Sequence, residues 1–310
     1  MSSPLPPRLS LSDAAARQLS NSTKTTPRLS TITPRWLVHF LKWIPVEAGV
    51  YRLNHVSNAH ELRVACADRD ESDELPTTFA DYDQNPREYY LNSVTTVLDV
   101  HTRVSDLYSS PHDQIREQLR LTIESIKEKQ ESELLVNADY GLLANVADEQ
   151  RLQPLSGPPT PDDLDELLTK VWKRPSFFLA HPLAVAAFGR ECTRRGVPPP
   201  TVCLFGAHFL TWRGVPIVPS DKIPVVGGRS SILLLRVGDE HQGVVGLFQP
   251  NLPGEQSPGL SVRFMGINHN AEASYLIALY CSLAVQTPDA LAILEDVALD
   301  YYHDYAASGR

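Results

Sequence analysis

Residues 31–54 read TITPRWLVHFLKWIPVEAGVYRLN and carry two tryptophans, one phenylalanine and five aliphatic residues in the short run from Trp36 to Val46. Thr33 can cap a helix whose first residue is Pro34, and Pro45 would end that helix. The apolar residues between them recur at helical spacing. The sequence therefore predicts a short helix with one apolar face, formed by Trp36, Leu37, Phe40, Leu41, Trp43 and Ile44.

These large apolar side chains need a partner, which could be a membrane, the chain's own core or another copy of the chain. A helix of about ten residues is only ~15 Å long, roughly half the thickness of a bilayer core. A helix lying on a membrane surface needs a broad polar face, and only His39 and Lys42 supply one here. Packing against protein is therefore favoured, and the pattern alone does not choose between the chain itself and a neighbouring copy.

The composition is that of a globular protein. The 310 residues are 42% hydrophobic and 21% charged, which allows a sizeable core without stabilising cross-links. The four cysteines, Cys66, Cys192, Cys203 and Cys281, include no CxxC pair, a pattern typical of free thiols in a reducing compartment. The sequence shows neither a secretory signal nor a run of about 18 apolar residues, so we expect a cytoplasmic protein without a transmembrane segment.

Charge is distributed unevenly along the chain. The net charge is −9, yet residues 1–35 carry five basic residues against Asp13 alone. Residues 61–88 hold nine carboxylates and three arginines. A basic arm and an acidic loop can attract each other within or between subunits, although two independently solvated segments fit the same charges equally well.

The first third of the chain contains two segments without a core of their own. Residues 1–33 are rich in Ser, Thr, Pro and Arg and predict an extended arm. Residues 46–92 contain alternating stretches around the acidic run DRDESDELP, which predicts a long two-stranded excursion with an acidic tip. Such an excursion must lie on other structure, so both segments suit a subunit that assembles with neighbours.

The remaining patterns predict an α+β fold. Apolar spacing indicates helices at about 94–108, 112–137, 182–195 and 288–302, and Thr160-Pro161 marks the start of another. The face of the 112–137 helix that is not apolar is dense in charged residues and Gln. Strands are predicted in the stretches TVCLF, HFLTW, VPIVP, SILLLRV, GVVGLF, LSVRFM and ASYLIALYCSLAV.

The residues offer no recognisable catalytic site. Motifs for nucleotide binding, zinc hydrolysis and serine hydrolysis are absent from the sequence. His181 could act as a base and Cys192 as a nucleophile, but helix capping and a buried core thiol are the commoner roles. The acids Asp162, Asp163 and Asp165 fit the positive end of a helix without a metal. We therefore expect no catalytic, cofactor-binding or metal-binding residues, and no specific readout of nucleic acid.

Long stretches of the chain match one known family. They are ITPRWLVHFLKWIPVEAGVYRLN, LDVHTRVSDLYSSPHDQIREQLRLTIE, SGPPTPDDLDELL, FFLAHPLAVAAFGRECTRRGVPPPTVCLFG, FLTWRGVPIVPSDKIP, ILLLRVG, GVVGLFQ, LSVRFMGI and TPDALAILE. Together they cover about residues 28–300 and resemble the family 2 encapsulins, which include the mycobacterial major membrane protein I.

This resemblance implies the major capsid fold of tailed phages. Mapped onto the chain, it gives an N-terminal arm, an extended loop, a peripheral domain with a spine helix at 112–137, and an axial domain around fivefold axes. The corresponding residues are 1–45 for the arm, 46–92 for the loop, 93–159 and 256–310 for the peripheral domain, and 160–255 for the axial domain.

The resemblance also implies a function. Family 2 is divided by an inserted cyclic-nucleotide-binding domain, for which the capsid fold leaves no room in 310 residues. That implies the A subtype, whose shells package a cysteine desulfurase, an enzyme of sulfur metabolism that carries pyridoxal phosphate. We expect a sixty-subunit icosahedral nanocompartment whose shell protein is not an enzyme and holds no cofactor itself. A phage-type major capsid protein and a peripheral membrane protein are the alternatives.

The apolar run near the N-terminus then acquires a predicted role. A closed shell uses the same patch at every copy, so we predict an assembly interface made of Trp36, Leu37, Phe40, Leu41, Trp43 and Ile44. The three aromatic residues alone would bury ~450–750 Å². On this hypothesis, aspartate at Trp36 or Phe40 blocks assembly and leaves a folded subunit.

Overall fold

Two β-sheets, joined along one long helix, organise the chain. The computed structural model describes residues 28–56, 76–101 and 113–302. The predictions for the basic arm before residue 28, for the acidic run and for Cys66 concern residues outside these ranges.

The helices and strands of the described ranges confirm the α+β class. The helices are α1 (Trp36–Phe40), α2 (Gln114–Val136), α3 (Pro161–Lys170) and α4 (Pro182–Arg194). The strands are β1 (Lys42–Pro45), β2 (Val50–Leu53), β3 (Arg87–Tyr90), β4 (Asn92–His101), β5 (Arg151–Leu152), β6 (Phe177–Ala180), β7 (Thr201–Leu204), β8 (Ala207–Trp212), β9 (Val215–Pro219), β10 (Arg229–Leu235), β11 (Val244–Phe248), β12 (Glu255–Ser257), β13 (Leu260–Ile267), β14 (Glu272–Val285) and β15 (Leu291–Ala298).

The larger sheet has seven strands in the order β5-β15-β10-β6-β9-β8-β7. Its central strand β6 is buried on both faces, because alternate residues of a strand point to opposite sides. Phe177 and Leu179 join the core cluster that contains α1, whereas Phe178 and Ala180 join the cluster that contains α3 and α4. This sheet therefore lies between two layers and has a core on each side.

The second sheet has six strands. β1, β11, β14, β13 and β12 are adjacent in that order, and β4 pairs with the outer half of β14. The 14 residues of β14 run through both halves of this sheet. A separate antiparallel pair, β2 with β3, confirms that the chain leaves and returns as two strands within residues 46–92.

The helix α2, called the spine helix below, connects the two sheets. Its 23 residues span about 34 Å, and the side chain of Asp113 caps its start by accepting the N–H of Arg116 at 3.1 Å. Ile126 and neighbouring apolar residues pack against β4, β13 and β14, while Leu134 and Leu135 reach the core of the seven-stranded sheet. The predicted helix at 112–137 is confirmed.

Capping side chains fix the starts of the two shorter predicted helices. Thr160 accepts the N–H of Asp163 at 3.2 Å, and the Asp163 carboxylate accepts the N–H of Thr160 at 2.8 Å. This reciprocal pair satisfies two N–H groups that the helix leaves free at its start. His181 Nδ1 accepts the N–H of Leu183 at 3.2 Å. The expected capping role of His181 is therefore confirmed.

A buried arginine forms an ion pair where the chain passes between the sheets. Arg236 follows β10 and is 1% exposed. Its Nη2 donates to Oδ1 of Asp289 and to Oγ1 of Thr287, each at 2.8 Å, and both acceptors lie in the turn between β14 and β15. Arg236 and Lys173, whose Nζ is 2.8 Å from the Asp289 carboxylate, hold the pKa of Asp289 well below its usual range despite burial.

Two predicted helices are strands instead. Residues 92–101 form β4, because the i, i+4 spacing of Val94 and Leu98 that suggested a helix also places both on one face of a strand. The prediction beyond residue 101 lies outside the described ranges. Residues 291–298 form β15, where an apolar run is buried on both faces, and Thr287-Pro288 begins only a single 3-10 turn.

The predicted division into domains stays a prediction, and two strand pairings connect segments that it separates. β15 was assigned with 256–310 to the peripheral domain, but it pairs with β10 in the centre of the seven-stranded sheet. β11 was assigned to the axial domain at 160–255, but it pairs with β14 and β1 in the six-stranded sheet. Strands find partners far away in sequence, so patterns along the chain do not fix these assignments.

The Arg236–Asp289 pair should carry a large share of the stability. We expect Asp289→Asn to destabilise the fold by ~3–5 kcal/mol, because Arg236 would remain buried without its counter-ion. Lys129→Met, which removes an exposed lysine paired with Glu133, should cost less than ~1 kcal/mol. Guanidinium unfolding followed by circular dichroism measures both, and similar midpoints for the two variants would contradict the assignment.

Candidate assembly interface

Leu37 and Leu41, two of the six predicted interface residues, lie inside the chain's own core. They are 0% and 4% exposed and pack in one cluster with Phe177, Phe209 and neighbouring residues of the seven-stranded sheet. Their burial is complete without a second copy. Part of the apolar run thus serves the fold of the single chain.

The rings of Trp36 and Phe40 are half-buried on the same core. The ring centroid of Trp36 lies 5.1 Å from that of Phe209 in an edge-to-face arrangement, and the ring centroid of Phe40 lies 4.9 Å from that of Phe177. Phe205, at the turn between β7 and β8, covers both rings from outside at 6.5 and 5.2 Å. Phe205 has φ of 49° and is 67% exposed, so a strained backbone holds this ring over α1.

Trp43 and Ile44 belong to a strand rather than to the predicted helix. The backbone becomes extended at Leu41, where φ is −65° and ψ is 146°, and β1 then pairs parallel with β11. The prediction of a helix from Pro34 to Ile44 is therefore wrong beyond Phe40, where the backbone pairs with the edge of β11 instead. It is also wrong before Trp36, because Arg35 lies in the left-handed region and the predicted cap Thr33 bonds to Glu128. Trp43 Nε1 donates to the carbonyl of Val38 at 3.0 Å, which locks the turn between α1 and β1.

The other four predicted interface residues are half-buried, so part of each side chain stays exposed to solvent: Trp36, Phe40, Trp43 and Ile44. Their assignment to an assembly interface stays a prediction. The expectation that aspartate at Trp36 or Phe40 leaves the subunit folded needs revision, because each ring packs on core residues of its own chain.

A row of three carboxylates on the spine helix holds the segment that precedes α1. This carboxylate row consists of Glu124, Glu128 and Glu131, which share one face at i, i+4 and i+7. Glu128 accepts the N–H of Thr33 at 2.9 Å and its hydroxyl at 2.8 Å. Arg35 Nη1 donates to Glu124 at 2.6 Å and to Glu128 at 3.2 Å.

Lys222, in the loop after β9, reaches the same row. Its Nζ lies 3.0 Å from Glu128 and 2.8 Å from Asp221. The side chains of Lys222 and Glu128 are 15% and 12% exposed, so water screens this pair only partly. Burial raises the pKa of Glu128, but the hydrogen bonds from Thr33 and Lys222 and the charge of Lys222 outweigh it, so the pKa is lowered. The row thus ties the arm, the spine helix and the seven-stranded sheet together.

Glu131 is the buried member of the row. It is 1% exposed, and its Oε1 accepts the N–H of Leu37 at 3.0 Å. Burial raises its pKa to about 7, although the hydrogen bond from Leu37 and the charge of Lys222 act in the opposite direction. The charges of Glu128 and Asp221 add to the increase. Glu131 therefore changes protonation close to neutral pH.

Sequence reasoning missed the carboxylate row. The pattern showed only a face dense in charged residues, which is usually solvated. The spacing at i, i+4 and i+7 was visible, but nothing along the chain indicated that Thr33, Arg35 and Lys222 would meet that face.

The other candidates for chemistry have structural roles. Burial raises the pKa of the Cys192 thiol to about 11 and that of Cys281 to about 12, so neither is an activated nucleophile. Asp165 accepts Trp212 Nε1 at 2.7 Å and pairs with Arg213 at 2.9 Å. Among the described residues no group of three potential metal ligands comes together.

A cavity of about 310 Å³ lies beside α1, and none of the described residues that line it is an aspartate or a glutamate. Its wall combines Val38, Trp43 and Leu279 with the longer polar side chains of Arg35 and Lys127. None of the helices within the described ranges has the length and apolar composition needed to cross a membrane.

Comparison with known sequences places the chain in a family. The family model described as "Type 2A encapsulin shell protein SrpI-like" matches residues 51–301. The type 2A encapsulin shell protein SrpI of Synechococcus elongatus is 68% identical over 96% of this chain and 97% of its own length. A type 2A encapsulin shell protein of Mycolicibacterium paratuberculosis is 64% identical over 95% of this chain and 96% of its own length.

Comparison with solved structures agrees. The cryo-electron microscopy structure of the holo-SrpI encapsulin complex from Synechococcus elongatus has a TM-score of 0.84 and 64% identity, and covers 95% of this chain and 99% of that chain. The capsid of a native GTA particle has a TM-score of 0.62 at 13% identity, covering 89% of this chain and 95% of its own. The second match shows the fold alone, which is that of tailed-phage capsids.

Close packing of Trp43 on Gly246 gives a sharp test of the β1 attachment. A Cβ at Gly246 would lie 2.7 Å from two ring carbons of Trp43, so we expect Gly246→Ala to destabilise by ~1–3 kcal/mol. Gly189→Ala is the matched control, because a Cβ there meets nothing within 4 Å and α4 gains a better helix former. Thermal unfolding monitored by tryptophan fluorescence should separate the two, and equal melting temperatures would rule out the tight contact.

The buried carboxylate should make stability depend on pH. Because the folded pKa of Glu131 is about 7 and its ordinary value is 4.5, the folded state binds more protons between these values. The contribution of Glu131 to the free energy of unfolding is therefore fully present below about pH 4.5. It is lost as the pH rises through 7, and the loss is at most ~3 kcal/mol. Burial lowers the pKa of His181 from its ordinary value of 6.5. Its contribution to stability is therefore lost as the pH falls below 6.5, which is the opposite dependence.

Glu131→Gln isolates this effect, because the amide oxygen can still accept the N–H of Leu37. We expect the variant and the natural protein to have the same melting temperature at pH 5 and the variant to have the higher one at pH 8. Because His181 is present in both proteins, its titration does not contribute to this difference. Glu133→Gln serves as control, because hydrogen bonds from Asn137 and Lys129 lower the pKa of Glu133. A difference between Glu131→Gln and the natural protein that stays constant from pH 5 to 8 would show that Glu131 does not titrate there.

Proposed function

The chain belongs to the SrpI-like type 2A encapsulin shell family, and from this we propose that it closes into a sixty-subunit icosahedral cage around a cysteine desulfurase. Family membership makes it a structural shell protein of a capsid-like nanocompartment rather than an enzyme. The number of subunits, the icosahedral closure and the identity of the cargo are the proposed parts.

The proposal of a closed cage is supported by large apolar side chains that the subunit leaves exposed. Outside the core, the exposed ones include Phe79, Tyr90, Leu155, Trp172, Phe205, Val226, Phe264, Met265 and Ile267. Single exposed apolar residues are common in monomers, but adjacent ones such as Phe264, Met265 and Ile267 on one strand mark an interaction surface. In a closed cage every copy has the same neighbours, so each of these contacts is repeated. Sixty chains of 34.4 kDa would form a particle of about 2 MDa.

The proposal of the cargo rests on the subtype. A relative has been solved as a holo-SrpI encapsulin complex, which fits a shell that holds a guest. The A subtype that this chain resembles has shells that package a cysteine desulfurase. The pyridoxal phosphate of such an enzyme would belong to the cargo and not to the shell.

Particle formation by the purified chain tests the first part. We expect negative-stain micrographs to show round hollow particles of uniform size, and mass photometry to give about 2 MDa. Monomers or dimers across a range of salt and pH would overturn the cage. Particles filled with DNA would instead support the phage-capsid alternative, and particles that float with liposomes would support membrane association.

Co-purification tests the second part. We expect a cysteine desulfurase from the same organism, expressed together with this chain, to elute with the particles and to bring the absorbance of pyridoxal phosphate with it. An unrelated pyridoxal-phosphate enzyme expressed in the same way is the control and should stay outside. Empty particles in both cases would contradict the cargo and leave the cage intact.

A further inference from the structure

The outer half of β13 combines exposed apolar side chains with a free strand edge. Phe264, Met265 and Ile267 are 58%, 60% and 63% exposed, and together leave roughly 300 Å² of apolar surface in water. These three residues are called the β13 tip below. Its sequence FMGI contains no charged or polar side chain.

One edge of the β13 tip has no strand beside it. β13 pairs with β14 along its whole length, but with β12 only at Leu260 and Ser261. Val262 donates its N–H to the carbonyl of Gly254 at 2.9 Å. Beyond Val262, no described strand covers this edge. Proteins usually protect such an edge with charges, proline or a bulge; the β13 tip has neither a charge nor a proline of its own, although Arg263 directly precedes it.

A bulge decides what kind of contact the tip can make. Phe264 pairs with Tyr275 and Gly266 with Ser274, so Met265 is an extra residue without a partner. The bulge interrupts the alternation of the strand, and for that reason Phe264 and Met265 are both exposed. It also disrupts the regular edge that an added strand would need. The tip is therefore suited to side-chain packing rather than to strand addition.

The tip is firmly supported by its own subunit. The ring of Phe264 lies 5.4 Å from that of Tyr275 on the neighbouring strand. β14 continues from there into the core of the six-stranded sheet, where Ile277 is fully buried. The Phe264 ring is therefore already held in place before a partner binds, so covering it costs little further side-chain freedom.

We propose that the β13 tip of each subunit is covered by a second copy of this chain, through packing of Met265 and Ile267 against the neighbour. The proposal rests on the proposed cage and names one of its contacts. A second copy is the occupant because it is the partner that shell assembly supplies at every subunit, and because the uncharged tip offers nothing that would recognise an anion, a cation or nucleic acid.

Two pairs of variants test the proposal by assembly. Met265→Asp and Ile267→Asp should abolish particles or reduce their yield at least tenfold, while circular dichroism shows a folded chain, because both side chains face water in the single subunit. Met265→Leu and Ile267→Val keep the apolar surface and should assemble like the natural chain. Intact particles from both aspartate variants would overturn the proposal, whereas absence of particles from the natural chain would overturn the cage itself.

A second measurement does not depend on whether the aspartate variants fold. Met265→Cys keeps an uncharged side chain, and its reaction with a maleimide can be located by peptide mass spectrometry. We expect labelling in empty particles to be at least tenfold slower than in subunits released by mild denaturant. Equal rates would overturn the proposal, and so would protection that appears only in cargo-loaded particles, which would identify the cargo as the occupant.

Discussion

The hydrogen bonds and ion pairs of the carboxylate row are the interactions on which the rest of the structure depends. Three acids on one face of the spine helix hold the backbone and side chains of residues 33–37 and also Lys222. The arm enters its position only because these donors are satisfied in a largely dry environment. Once it is fixed, Leu37 and Leu41 complete the core and β1 joins the edge of the six-stranded sheet.

This arrangement changes how the apolar run near the N-terminus should be understood. Its leucines and the inner faces of its rings belong to the single chain, so a subunit has a sizeable core before it meets another. The surfaces that remain for assembly lie farther out, on half-buried rings and on projections such as the β13 tip. A shell subunit with its own core and apolar projections can fold first and close afterwards, which favours ordered assembly over aggregation.

The two sheets have different positions in such a subunit. The seven-stranded sheet is covered on both faces and is anchored by the buried Arg236–Asp289 pair at the crossing between the sheets. The outer half of the six-stranded sheet, formed by β4, β14 and β13, extends away from that core along the spine helix. The capsid of the GTA particle shares this fold at 13% identity. The shell function itself follows from membership of the family.

The sequence by itself determined the elements whose signals are local. Capping residues and apolar spacing identified the spine helix, α3 and α4, and strand-like stretches identified the strands between residues 201 and 285 except β12. Long matching stretches identified the family. Only the tertiary structure decided that residues 92–101 and 291–298 are strands, because their apolar spacing fits a helix and a strand alike until a neighbouring strand supplies the hydrogen bonds. It also decided that Leu37 and Leu41 are core, that Glu131 is buried and that the β13 tip is bare, since burial depends on residues that are distant in sequence and close in space.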